Sequence, residues 1–247
     1  MGIWAKKKTG GLALVLMAGM GGGVAGMAVA EGLPALPEEA HDIWAAVGRV
    51  NAGGYRSRGM CSGVLVAPDR VLTAAHCVFR DDGRAVAVED LHFVAGWHRG
   101  RARDDAGVVA VALHPQALED GRIDPGHDLA LLQLDRALEI APIGLMGRRM
   151  AAGPFALVAY QGSRPHVMGG RFDCALRLQT FSLALTTCPV EGGSSGGPLM
   201  GQVDGQWAVV GVVSARAGGW TLVPRALDWV AGALAAEKPA TSAEPER

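Results

Sequence analysis

Three short segments, far apart in a chain of 247 residues, hold side chains that together could break an acyl bond. They are Leu72-Thr73-Ala74-Ala75-His76-Cys77, then His127-Asp128 with the apolar run Leu129 to Leu132, and Gly192-Gly193-Ser194-Ser195-Gly196-Gly197-Pro198-Leu199. A serine hydroxyl is a poor nucleophile at neutral pH. A neutral imidazole must accept its proton during attack, and a buried carboxylate must hold that imidazole in the right tautomer. Glycines beside the serine let the backbone curl until amide N–H groups point at the oxyanion that forms. Each segment also has a plainer reading. Gly192 to Gly197 has the composition of a flexible linker, but Pro198-Leu199 and the flanking apolar runs argue against that. Asp124 rivals Asp128 as the orienting carboxylate, and the apolar strand straight after Asp128 favours the latter. His41, His92, His98, His114, His127 and His166 are left as structural or exposed. His92 and His98 have no evident third ligand to make a zinc site, and Asp81-Asp82 reads as a solvated turn, so no metal or organic cofactor is expected.

The elements that must position these residues look like short strands. Cys61 to Ala67 is a buried run that ends at Pro68-Asp69-Arg70, and Val71-Leu72-Thr73 starts another. Further apolar runs lie at Leu91 to Ala95, Val108 to Leu113, Leu129 to Leu134, Phe155 to Tyr160, Leu176 to Leu185 and Trp207 to Val213. Gly, Pro, Asp and Asn clusters separate them at short, irregular intervals, which fits a sandwich or barrel rather than βαβ units. Only Ala226 to Glu237, just after Pro224, carries apolar residues at helical spacing.

Composition narrows the classes. A net charge of -1 argues against a nucleic-acid binder, and 49% hydrophobic residues argue against disorder. The first thirty residues read as an export signal: a basic patch at Lys6 to Lys8, an apolar stretch from Leu12 to Ala28, and the small-x-small pattern Ala28-Val29-Ala30. A membrane anchor is the alternative, and glycines within the stretch weaken it as a spanning helix. No stable membrane insertion is expected after cleavage, and the location is secreted or periplasmic. In an oxidising compartment the four cysteines favour two disulfides. Three pairings are open, of which the local ones, Cys61 with Cys77 and Cys174 with Cys188, are favoured.

Taken together and in the order His, Asp, Ser, with a cysteine straight after the His, the three segments resemble the trypsin/chymotrypsin-like serine proteases, in particular their bacterial secreted branch. The resemblance runs from about Ala46 to Val230, and Leu113-His114-Pro115 also fits it. It implies an all-β fold of two packed six-stranded antiparallel barrels with a short C-terminal helix, and a site in the cleft between them. The N-terminal barrel is expected over 45–150, the C-terminal barrel and helix over 151–237, a possible pro-segment or N-terminal extension over 31–44, and a disordered tail over 238–247. It implies His76, Asp128 and Ser195 as a catalytic triad, and the N–H groups of Gly193 and Ser195 as an oxyanion hole. It places a specificity pocket at Pro189, Val190, Glu191, Val213, Ser214 and Arg216. The implied activity is endopeptidase hydrolysis of a peptide or protein substrate through an acyl-enzyme, by a monomer.

Two departures qualify the resemblance. Ser194 stands where the animal enzymes use an aspartate to receive a new N-terminal amine, so that activation switch is not expected. Pro189 stands where trypsin has a carboxylate, so a preference for Lys or Arg does not follow. Arg216 turned into the pocket would favour an acidic side chain, and Arg216 turned to solvent would leave an apolar one favoured. Glu191 would pair with Arg216 or attract a basic group at the rim. A binding protein on a protease scaffold and an esterase with the same triad are the rival functions. The three intact triad positions argue against the first, and the lack of a Gly-x-Ser-x-Gly elbow between strand and helix against the second.

Overall fold

The computed structural model describes residues 32–53, 59–147, 153–225 and 227–236. The expected export signal over 1–30 and the tail over 238–247 lie outside them. The first half begins with β1 (Val47–Ala52), β2 (Met60–Ala67), β3 (Arg70–Thr73), β4 (Leu91–Ala95) and β5 (Asp104–Leu113). A small hairpin follows, β6 (Leu118–Glu119) with β7 (Arg122–Ile123), and then β8 (Ala130–Leu134). Antiparallel ladders close six of these strands into a barrel in the order β1-β2-β3-β8-β5-β4. Val50, Leu65, Val71, Phe93 and Leu132 fill its interior.

The second half comprises β9 (Phe155–Gln161), β10 (Arg164–Cys174), β11 (Leu176–Leu178), β12 (Leu183–Thr186) and β13 (Pro198–Val203). After these come β14 (Gln206–Val212), β15 (Ala215–Ala217), β16 (Trp220–Pro224) and α1 (Leu227–Ala236). Where a second six-stranded barrel is expected, the ladders describe two four-stranded sheets, β10-β9-β13-β14 and β11-β12-β16-β15. Between β14 and β15 the backbone of Val213 is engaged elsewhere, its N–H donating to Gly197 and its carbonyl accepting from Gly196. The expected strand from Leu176 to Leu185 is also two strands. Thr180 Oγ1 accepts the Leu183 N–H at 3.0 Å and closes a turn, with Phe181 left 89% exposed at its tip. The expected helix forms, with Leu227 and Val230 buried.

One core runs across both halves. Val64, Leu72 and Leu131 of the barrel pack in the same cluster as Leu157, Leu199 and Val212. Strands β2, β3 and β8 therefore bury both faces, which explains why they read as continuous apolar runs instead of alternating ones. The stretch 32–44, a candidate removable segment from the sequence, is packed into the fold at Leu33, Leu36 and Trp44. Buried Gln161 clasps Leu33 on both sides, its Oε1 accepting the Leu33 N–H at 2.7 Å and its Nε2 donating to the Leu33 carbonyl at 2.8 Å.

The two disulfides are the local ones, Cys61–Cys77 and Cys174–Cys188, closing separations of 16 and 14 residues. Loops of that length remove chain entropy from the unfolded state worth about 3 kcal/mol each. Replacing Cys61 and Cys77 together by Ser should lower the unfolding free energy by roughly that amount, read by denaturant titration. An unchanged midpoint would contradict it.

A pH dependence follows from His41, buried against His98 with 3.9 Å between ring centroids. Burial first, and the neighbouring His98 second, lower its pKa below 6.5. The unfolded chain then takes up a proton that the folded one resists, so this contribution to stability is present above pH 6.5 and is lost as pH falls below it. His41→Phe should flatten the fall in thermal midpoint between about pH 7.5 and about pH 5; an equally steep fall would rule this out.

Candidate active site

His76 sits in a single 3-10 turn, Ala75–Val78, directly after β3. The turn is pinned from behind, because Cys77 is bonded to Cys61 on β2. The sulfurs lie within 4.8 Å of a His76 ring nitrogen but are bonded to each other, which leaves His76 as the one potential ligand there among the described residues.

Asp128 lies at the mouth of β8 with no exposed surface. A carboxylate taken out of water must be met by donors, and three meet it here. The His76 N–H donates to Oδ1 at 2.9 Å, the His76 Nδ1 lies 2.7 Å from Oδ2, and Ser214 Oγ donates to Oδ2 at 2.6 Å. With Nδ1–H given to the carboxylate, Nε2 is left as the basic nitrogen, while the imidazole side chain remains 34% exposed. Asp124, the rival carboxylate, is engaged in a separate pair, its Oδ2 2.5 Å from His127 Nδ1.

Ser195 lies on the turn between β12 and β13. Gly193 (φ +91) and Gly196 (φ +76) both take the left-handed backbone that a side chain disfavours. A Cβ on Gly196 would come within 2.1 Å of Thr73 Oγ1 and 2.2 Å of the Ser62 carbonyl, so the turn can reach β2 and β3 only without one. Three carbonyls on the approach to and beside Ser195 are anchored. Gly192 O accepts from Gly162 N–H at 2.7 Å, Gly193 O from Ser62 Oγ at 2.9 Å, and Ser194 O from Gly197 N–H at 2.9 Å. Because a trans peptide sets N–H opposite C=O, the N–H groups of Gly193 and Ser195 are turned away from these anchors, with no acceptor among the described residues.

Two buried polar residues escaped sequence reasoning, and one of them holds this arrangement. Ser62, fully buried on β2, donates its backbone N–H to the Ser195 carbonyl at 2.7 Å and accepts the Tyr160 N–H on Oγ at 2.9 Å, besides its bond to Gly193. Gln161 is the other, and it clasps Leu33. Neither motif nor periodicity marks a lone Ser or Gln inside an apolar strand. Ser214, expected on a pocket wall, spends its hydroxyl on Asp128.

The remaining pocket candidates divide. Val190 and Val213 are buried, and Pro189 between Cys188 and Val190 brings no charge. Arg216 Nη1 donates to the Val190 carbonyl at 3.1 Å. Glu191 faces elsewhere: its Oε1 accepts the Ser163 N–H at 2.9 Å and the Ser163 hydroxyl, beside a cavity of about 420 Å³ that Met60, Gly162 and Gly193 help to line.

Comparison with known proteins matches residues 61–212 to a family described as trypsin-like peptidase domain. The chain is 32% identical to human Granzyme M over 126 residues, 48% of this chain and 45% of that protein. It is 28% identical to the mouse peroxisomal leader peptide-processing protease over 161 residues, 63% of this chain and 25% of that protein. The chain thus spans about a quarter to a half of the length of these curated relatives. Among solved structures, a Glu endopeptidase in complex with MPD superposes with a TM-score of 0.69 at 20% identity, covering 83% of this chain and 97% of that one.

The Gly196 contacts give a stability prediction. Gly196→Ala adds both backbone strain and a clash with β2 and β3, and should cost about 2 kcal/mol or more. Equilibrium unfolding checks this, and a loss of only a few tenths would mean that the turn has room to relax.

Proposed function

The chain belongs to the trypsin-like peptidase domain family, and from that premise we propose that it is an exported bacterial serine endopeptidase working as a monomer through a His76, Asp128 and Ser195 triad. The observation that carries this reading is the buried Asp128 carboxylate bonded to His76 Nδ1, close to a glycine turn whose Gly192, Gly193 and Ser194 carbonyls are tied back. Ser195 Oγ attacks the peptide carbonyl carbon while His76 Nε2 takes its proton, and the new oxyanion is received by the N–H groups of Gly193 and Ser195. Collapse breaks the C–N bond, and His76 returns the proton to the leaving amine. Water, deprotonated by the same nitrogen, then attacks the acyl ester and releases the acid with Ser195 restored. Asp128 fixes the tautomer throughout and stabilises the imidazolium, with Ser214 sharing its charge. The disulfides and the signal-like segment over 1–30 fit export.

A fluorophosphonate probe should label Ser195 in the folded protein, and Ser195→Ala should lose both labelling and peptide cleavage. Asp128→Asn should keep the fold and lower kcat on the order of ten-thousand-fold, because the amide favours the wrong tautomer. Labelling elsewhere, or cleavage undiminished in Ser195→Ala, would overturn the mechanism.

A further inference from the structure

We infer that Arg216 selects an acidic side chain at the substrate residue preceding the scissile bond, an inference that rests on the protease reading above. Arg216 lies on β15, two residues after Ser214, whose hydroxyl holds Asp128. Its side chain reaches from β15 to the carbonyl of Val190, in the segment leading to Ser195. The guanidinium therefore joins the two chain segments that flank the site.

A guanidinium has five N–H donors in a fixed fork. One nitrogen is engaged by the Val190 carbonyl, which sets the orientation of the group without neutralising it. No carboxylate pairs with Arg216 among the described residues. Glu191, the neighbour of Val190, is committed to Ser163 through Oε1, and its Oε2 is directed toward Gly32. A substrate carboxylate can thus complete a two-pronged, charge-assisted pair with donors already held in place, the arrangement arginine forms best. A Lys or Arg side chain would meet a like charge, with Pro189 offering nothing to offset it. A long apolar side chain would have to displace the guanidinium. Arg216 itself is exposed, so the free enzyme carries no buried, unpaired charge.

The test is a set of peptides identical except for Glu, Gln, Asp, Asn, Leu or Lys at that position, cleaved by the wild type and by Arg216→Gln and Arg216→Glu. Glu against Gln isolates charge at constant shape. In the wild type kcat/KM should favour Glu over Gln by at least about tenfold. The ratio should fall to about one in Arg216→Gln, and Arg216→Glu should turn the preference toward Lys. A wild type labelled at Ser195 that cuts Gln as well as Glu, or prefers Leu or Lys, overturns the inference and leaves the protease reading intact. So does an acidic preference that persists in Arg216→Gln. Absence of both labelling and cleavage with every peptide would instead bring down the protease reading, and this inference with it.

Discussion

A carboxylate with no exposed surface is tolerable only where donors from the protein replace water, and Asp128 obtains them from both halves of the molecule. His76 supplies two from the barrel, and Ser214 supplies one from the segment leading into β15. Losing the partner from either side would leave charge stranded in a medium of low dielectric, a penalty of several kcal/mol. Joining the two halves and orienting the imidazole are therefore one requirement. The shared apolar core brings the halves together, and the carboxylate selects the alignment in which its oxygens are met.

Ser62 performs the neutral counterpart of this task. It is hydrogen-bonded through N–H, carbonyl and hydroxyl to Ser195, Thr73, Gly193 and Tyr160. Its sequence neighbour Cys61 is bonded to Cys77, next to His76. A short path of covalent and hydrogen bonds thus runs from the Ser195 turn through β2 to the His76 turn. Ser195 and His76 are thus spaced by strands, and the Ser195 turn is where special backbone geometry is needed.

Much of this was legible in the sequence because it is encoded locally. The strands at Leu91–Ala95 and Phe155–Gln161 follow from apolar runs between turn residues, and the two disulfides join cysteines about fifteen residues apart. The three segments bearing His76, Asp128 and Ser195 were visible because glycine and cysteine spacing is itself a local mark. What escaped was set by tertiary partners. β10 carries Pro165 and Gly169-Gly170, which break the apolar pattern, yet its glycines let Leu33 and Leu36 cross it closely. Leu176 to Leu185 read as one strand because periodicity does not register a turn closed by a threonine hydroxyl. Ser62 and Gln161 look like ordinary polar residues until the groups they satisfy, about a hundred residues away, are brought to them. The hydrogen bond that holds the Arg216 side chain likewise depends on a carbonyl in a distant segment.

The clasp of Gln161 on Leu33 joins residues 128 apart. A chain made from its N-terminus presents Leu33 and His76 to the surroundings long before Gln161 exists, and Ser195 and Ser214 come later still. The early part therefore emerges with apolar residues whose seats are not yet made. Domains tend to fold as units while the chain is being made, but here the last-made strands complete both the shared core and the turn that carries Ser195. Leu33 and Leu36 therefore wait unseated until β9 and β10 are made, and for that interval they are open to wrong apolar partners.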